Sequence, residues 1–162
     1  MGPIAANAEA IDASGLDLGL VVVAGRNEKL KAKLDAHKWR IPAHIYGFTR
    51  DLPDFMRAAD AVITKAGPGT IAEALIAGLP IILNAHLPGQ EDGNVTFVQK
   101  ERVGVWAPRS DRVVQTLKKW LENPNDRERF SENCRRAARP ESARIIARFI
   151  GSQVGLCAEP SL

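Results

Sequence analysis

The chain has 162 residues, enough for one domain that buries about two-thirds of its unfolded surface, and 45% hydrophobic with 25% charged residues is ordinary globular composition. No apolar run approaches the roughly 20 residues that span a bilayer, no signal peptide is visible, and nine scattered aromatics with no recognition motif exclude a nucleic-acid partner. Net charge is +3 but uneven: residues 109–148 hold eleven Lys/Arg against six Asp/Glu, a basic third that suits either acidic headgroups or a solvated helix face.

Ile4 to Ala13 reads as a helix with Ile4, Ala8 and Ile11 on one face. Leu18 to Ala24 (LGLVVVA) is a continuous apolar run, as expected of a strand covered on both faces. Gly25-Arg26-Asn27 turns it into a polar helix, Glu28 to His37. Pro42 then introduces a short strand, Ala43 to Tyr46, which ends in Gly47-Phe48. Leu52 to Ala59 is a short helix with Leu52, Phe55 and Met56 inward and Pro53 harmless in its first turn.

The central stretch follows. Ala61 to Thr64 is a buried strand, broken at Gly67-Pro68-Gly69; a helix opens at Thr70 and runs to Gly78, and Pro80 to Leu83 is the next strand. Strand, glycine turn, helix and strand make a βαβ unit, whose turn lies where a parallel sheet binds ligands. Absent Cβ atoms let backbone N–H groups approach a ligand, and the helix start adds partial positive charge, a combination suited to a phosphate or diphosphate. A plain structural reading stands beside this one. Thr70 and Glu73 have the spacing of a capping box, in which Glu73 only reaches back to the helix's first N–H.

Beyond Leu83 a loop, Asn84 to Gly89, leads to a helix from about Glu91 to Glu101 and a last strand, Gly104 to Ala107. Asp111 to Leu121 is amphipathic, with Val113, Val114, Leu117, Trp120 and Leu121 as its apolar face. Arg127 to Ala138 is a basic helix stopped near Pro140. In Glu141 to Val154 an Ile145, Ile146, Phe149 and Ile150 stripe, with Arg144 and Arg148 off it, suits a membrane surface but is expected to dock on its own domain or, by the resemblance described below, to reach back toward a partner domain. Residues 1–155 therefore form one domain, and residues 156–162 a loose tail. Cys134 and Cys157 have neither metal-ligand nor disulfide spacing, and His37, His44 and His86 are dispersed, so no metal site is expected and a reducing cytoplasm fits.

ITKAGPGTIAEALIAGLPIILN followed by PGQEDGN resembles the donor-binding segment of monogalactosyldiacylglycerol synthases and bacterial diacylglycerol glycosyltransferases. More distantly it is similar to the peptidoglycan N-acetylglucosaminyltransferase. The resemblance runs through GRNEKL and IPAHIYGF to about Pro124 and covers the C-terminal half of such enzymes. It implies an α/β fold: a Rossmann-like parallel sheet of about five strands with helices on both faces, the C-terminal domain of a GT-B fold. It also implies a hexosyltransferase that uses UDP-galactose or UDP-glucose as donor substrate, with no resident cofactor. The acceptor would be a lipid such as diacylglycerol at a membrane surface, and the intact enzyme cytoplasmic and peripheral at the inner membrane surface.

By motif, Gly67, Gly69 and Thr70 would face the diphosphate, and Glu73 the ribose hydroxyls. Gln90 and Glu91 would read the sugar hydroxyls, with Asn94 one helical turn on, and the backbone at Phe48 would contact the uracil. In the family a strand and glycine-rich loop precede the Ile4 helix, and an N-terminal acceptor domain supplies the general base. The chain thus reads as a donor-binding fragment that binds UDP-sugar without transferring it. The missing strand would lie between Leu18–Ala24 and Ala61–Thr64. Closure of those two strands on each other, or filling of the slot, is expected, with distortion of the Gly67–Thr70 turn. A UDP-sugar 2-epimerase-like domain and a non-catalytic nucleotide-sugar-binding module remain alternatives.

Overall fold

The computed structural model describes residues 3–154, so the expected tail at 156–162 and Cys157 lie outside it. Five short parallel strands alternate with helices: α1 (Ile4–Ala13), β1 (Leu20–Val23), α2 (Glu28–Asp35), β2 (Ala43–Tyr46), α3 (Leu52–Ala58), β3 (Val62–Lys65), α4 (Pro68–Ala77), β4 (Ile81–Ala85), α5 (Asp92–Lys100) and β5 (Gly104–Trp106). Three helices follow, α6 (Ser110–Glu122), α7 (Pro124–Ala137) and α8 (Ser142–Gln153).

Burial on both faces holds for the central strand and not for β1, where Val21 is 48% exposed although the Leu18–Ala24 run reads as covered on both sides. β4 alternates its side chains between two cores: Ile81 and Leu83 join Ile71, Leu75, Val98 and Cys134 under α4, α5 and α7. Ile82 points the other way, into Ile11, Val113 and Trp120 under α1 and α6. A strand buried on both faces has no polar alternation to show. Gly104 is required where β5 meets β4, because a Cβ there would stand 2.1 Å from the Ile81 carbonyl oxygen. Burial pushes the Cys134 thiol up to about 12, and its Sγ lies 3.4 Å and 3.3 Å from the Leu79 and Val103 carbonyl oxygens.

The strands do not form one continuous sheet. β1 pairs with β2, and β3, β4 and β5 pair in that order as a separate sheet. The Leu20 N–H bonds the Pro42 carbonyl and the Ala24 N–H that of Tyr46, so the alternating groups of Val21 and Val23 face away from β2. On β3, Val62 bonds Pro80, which turns Ile63 outward from β4 in the same sense. Among the described residues no segment pairs with either outer edge, so the expected direct closure of the two strands on each other does not occur and no described segment fills the slot. Side chains bridge where backbone does not: Leu20 of β1 and Ile63 of β3 pack on the same cluster as Ile11 and Ile82. That shared apolar layer holds the two sheets together without a ladder between them.

Two further expectations are corrected. Leu121, assigned to the apolar face of α6, is exposed, while Val113 and Trp120 are buried. α8 does not dock on the domain. None of its twelve residues is buried, and Ile145, Ile146, Phe149 and Ile150 are each 57–58% exposed. Ala138 is extended at the end of α7 and breaks the helix before Pro140. Ala137 at the end of α7 and Ala138 beyond it pack, partly buried, on the core that holds Cys134.

Candidate functional site

The β3–α4 turn begins two residues earlier than the periodicity suggests. Gly67 is the N-cap residue and Pro68 the first residue of α4, where its lack of an N–H costs nothing. The Gly67 N–H bonds the Lys65 carbonyl at 2.8 Å, and the Ile71 N–H closes the first helical turn on the Gly67 carbonyl at 3.1 Å. Gly69 and Thr70 then carry the first backbone N–H groups of the helix, and neither has a backbone partner among the described residues. A Cβ built on Gly69 would meet no atom within 4 Å, so the space above these donors is open. Gly78, with φ +69°, ends α4 in the left-handed conformation that only glycine adopts freely.

Because the helix starts at Pro68, the Thr70–Glu73 capping box does not form. Thr70 lies within the first turn, and no side chain caps it. Glu73 is exposed one turn further along, and no hydrogen bond or ion pair engages its carboxylate among the described residues. Of the two readings of Glu73, the helix cap is therefore removed, and its charge stays available to a ligand at the turn.

The opposite wall comes from the loop after β4. Glu91 is only 5% exposed. One of its oxygens, Oε1, accepts from Lys65 Nζ at 2.7 Å, and Oε2 accepts from the Leu87 N–H at 2.8 Å. The Lys65 ammonium, the Leu87 N–H and the nearby His86 outweigh burial and hold its carboxyl below the ordinary value. Asn94, on the first turn of α5, donates from Nδ2 to the Ala66 carbonyl at 2.7 Å and ties this wall to the turn. Gly67 faces the same cluster: a Cβ there would lie 3.6 Å from Lys65 Nζ and 4.0 Å from Glu91 Oε1. Gln90 is exposed at the tip of the loop, and His86 beside it pairs with Asp92 at 3.1 Å and sets its ring edge-on to Trp106.

Gly67, Glu91 and Asn94 are thus brought together around Lys65 and Ala66, with Gly69, Thr70 and Glu73 following along α4. Phe48 belongs to the other sheet, in the loop after β2. It is 65% exposed, with the Arg26 guanidinium 5.2 Å from its ring centroid. Sequence reasoning missed Lys65. The available signal was a charged residue ending a strand that is otherwise apolar, two positions before the first glycine. It also did not foresee that both Glu91 oxygens are engaged within the protein, or that Asn94 buttresses the turn. These are contacts across 26 and 28 residues that local spacing does not encode. Among the described residues no three His, Cys, Asp or Glu side chains group as metal ligands.

Elsewhere, Asp12 is buried and accepts from the Arg40 N–H at 2.6 Å, the Ile41 N–H at 3.2 Å and His37 at 3.1 Å. Burial alone would raise its pKa, but these partners together hold the carboxyl below the ordinary range. This knot joins α1 to the β2 approach and is structural. No described helix is long and apolar enough to cross a membrane.

The family model described as "Glycosyltransferase family 28 C-terminal domain" matches residues 4–148. The chain is 43% identical to "Probable monogalactosyldiacylglycerol synthase 3, chloroplastic" of Oryza sativa subsp. japonica, over 93% of this chain and 31% of that protein. It is 41% identical to the "Monogalactosyldiacylglycerol synthase, chloroplastic" of Spinacia oleracea, over 88% and 29%. It spans about a third of the length of these curated relatives. Among solved structures, Acinetobacter baumannii MurG superposes with a TM-score of 0.71 at 18% identity, over 94% of this chain and 47% of that one. A UDP co-structure of Staphylococcus aureus MnaA follows at 0.66 and 18%, over 98% and 42%. At such identities these two structures speak for the fold alone.

Proposed function

The chain belongs to the glycosyltransferase family 28 C-terminal domains, with the α/β fold of a GT-B C-terminal half, and from that premise we propose that it is the donor-binding half of a UDP-sugar-dependent hexosyltransferase. The observation that carries the reading is the open α4 start, with unpaired Gly69 and Thr70 N–H groups and an unengaged Glu73 one turn on. In this reading those two N–H groups, the Thr70 hydroxyl and the helix dipole meet a diphosphate, while Glu73 accepts from the two ribose hydroxyls. Gln90 and Glu91 read the sugar hydroxyls, Asn94 steadies the turn beneath them, and the Phe48 backbone meets the uracil. Lys65 adds a positive charge beside Gly67, held in place by Glu91.

The chemistry follows from these donors. Hexosyl transfer from UDP-galactose or UDP-glucose releases UDP, so negative charge grows on the diphosphate as the glycosidic bond breaks. Fixed N–H groups and the Lys65 ammonium stabilise that developing charge without a resident cofactor. The acceptor, a lipid such as diacylglycerol at a membrane surface, and the base that deprotonates it belong to a partner domain that these 162 residues do not contain. The chain alone therefore binds donor and transfers nothing. Support for the lipid acceptor is the 40–43% identity to proteins named as monogalactosyldiacylglycerol synthases.

Calorimetric titration with UDP, UDP-galactose and UDP-glucose tests the reading. Saturable UDP binding is expected, and incubation with labelled donor and diacylglycerol should yield no glycolipid. Absence of any UDP binding by the folded chain would overturn the assignment.

A further inference from the structure

Glu91 is expected to read a hexose, yet both of its oxygens are already engaged within the protein. Oε1 accepts from Lys65 Nζ at 2.7 Å and Oε2 from the Leu87 N–H at 2.8 Å, and the side chain is only 6% exposed. The two partners differ in how easily they let go. Leu87 donates from the backbone of the loop that leads into Glu91, so Oε2 stays bound while that loop keeps its shape. Lys65 donates from the tip of a flexible side chain that is 57% exposed. Oε1 is therefore the oxygen that can be released without refolding the loop.

Lys65 is placed for that release. The β3–β4 register shifts between Thr64 and Lys65, an irregularity of the kind that re-aims a side chain at the end of a sheet. A Cβ on Gly67, the N-cap of α4, would lie 3.6 Å from Lys65 Nζ. The ammonium thus stands at the mouth of a helix whose Gly69 and Thr70 N–H groups have no backbone partner among the described residues. A cation beside the positive end of a helix dipole is unfavourable unless an anion stands with it. α4 supplies none, since its first turn has no acidic residue and no side chain caps it. The anion is Glu91.

A diphosphate on the same helix start would carry more negative charge than one carboxylate and would compete for the same ammonium. Lys65 has three N–H donors, so the rival arrangement is sharing, with one bond kept on Glu91 and another given to the phosphate. Sharing holds two anions together on one cation. It also keeps Oε1 occupied where a hexose hydroxyl would have to bond.

We propose that Glu91 is an internal stand-in for the donor diphosphate: the diphosphate draws Lys65 away and frees Glu91 Oε1 for a hexose hydroxyl. This rests on the donor-site reading and adds an order to it. The nucleotide end binds first, and its charge opens the sugar end, so the site takes a hexose only when a diphosphate comes with it. The freed carboxylate keeps its Leu87 N–H, and the hexose hydroxyl replaces the ammonium. Once the hexose has left, Glu91 competes again for Lys65 and loosens the hold on UDP.

Calorimetric titration with UDP and UDP-galactose tests it in the full chain, Glu91→Gln, Lys65→Gln and the double variant, each checked for folding by its melting temperature. Glu91→Gln removes the competitor for Lys65, so UDP affinity should rise about three- to tenfold. In the same variant the advantage of UDP-galactose over UDP should shrink toward unity. Loss of a nearby negative charge would by itself favour UDP, so the Lys65→Gln background decides between the two causes. There Glu91→Gln should leave UDP affinity within about twofold, because no ammonium is left to contest. A gain of equal size in both backgrounds overturns the proposal in favour of simple repulsion. A loss of UDP affinity in Glu91→Gln overturns it in favour of sharing. A second measurement leaves the sequence untouched: the carboxyl carbon resonance of Glu91 should move on adding UDP, move again with UDP-galactose, and stay in place with galactose alone. A Glu91 signal that UDP leaves unmoved sinks the exchange of partners. A folded parent that binds no UDP takes down the donor-site reading and this inference together, whereas UDP binding with equal gains in both backgrounds takes down this inference alone.

Discussion

Glu73→Gln separates a ligand-binding carboxylate from a helix-capping one. The substitution keeps the size of the side chain and its ability to accept hydrogen bonds, and removes only the charge. In the protein Glu73 is exposed and makes no hydrogen bond among the described residues, and α4 begins at Pro68, too early for Glu73 to serve as the reciprocal cap. Folding stability should therefore move by no more than about 0.5 kcal/mol. Binding should respond very differently. If Glu73 accepts from both ribose hydroxyls, replacing charge-assisted bonds with neutral ones costs about 1.5–3 kcal/mol, a loss of roughly 10- to 150-fold in UDP affinity. The assays are calorimetric titration with UDP and thermal unfolding of the same two proteins. UDP affinity equal in variant and parent would refute the ribose role. A lowered melting temperature with unchanged UDP affinity would return Glu73 to a structural part.

Gly69→Ala should lower UDP affinity by roughly tenfold while slightly raising the melting temperature, because its Cβ enters open space and alanine favours a helix by about 0.5–1 kcal/mol. By contrast, Gly104→Ala places a Cβ against the Ile81 carbonyl and should destabilise by about 2–3 kcal/mol or more in denaturant titration. Glu91 has a folded pKa held below the ordinary 4.5, so it stabilises above that value and loses its contribution as the pH falls through the lowered one. Melting temperature followed from neutral into acid should drop in that window, and less so in Glu91→Gln. In hydrogen exchange the Val21, Val23 and Ile63 amides should lose protection on the order of a hundredfold relative to Leu20 and Val62. Uniform protection would mean that the edges of β1 and β3 are paired after all.

Much of the fold could be read from local pattern, because burial on two faces leaves a signature that needs no partner to be named. The run from Ile81 to Leu83 is apolar throughout since β4 divides its side chains between two cores. Helix bounds were also legible to within a residue or two at most positions. The largest misses are the starts of α7, three residues early at Pro124, and α4, two early at Pro68, both helices that open on a proline. Pro68 reads as a breaker in sequence, whereas at the first helical position its fixed φ favours the helix. Amphipathicity in α6 and α8 is equally plain, yet it names only an apolar face and not what lies against it. α6 turns Val113 and Trp120 into the core, while the α8 stripe stays exposed among the described residues.

The least legible feature is the one that keeps the candidate site intact. Loss of a ladder between β1 and β3 was expected to distort the Gly67–Thr70 turn, on the reasoning that a sheet transmits its geometry across its strands. The turn instead draws its support from the other side. Lys65 is bonded to Glu91, Glu91 to the Leu87 N–H, and Asn94 to the Ala66 carbonyl, and every one of these residues belongs to the β3–β4–β5 sheet, its loops or the α5 helix between its strands. The proposed diphosphate end of the site is therefore built by one sheet alone. The proposed base end, at Phe48 and Arg26, is carried by the two-stranded sheet, and only a layer of side chains, with Leu20 and Ile63 in one cluster, joins the two. An open edge at this seam therefore leaves the diphosphate end undisturbed, since the contacts that support it do not cross to the other sheet.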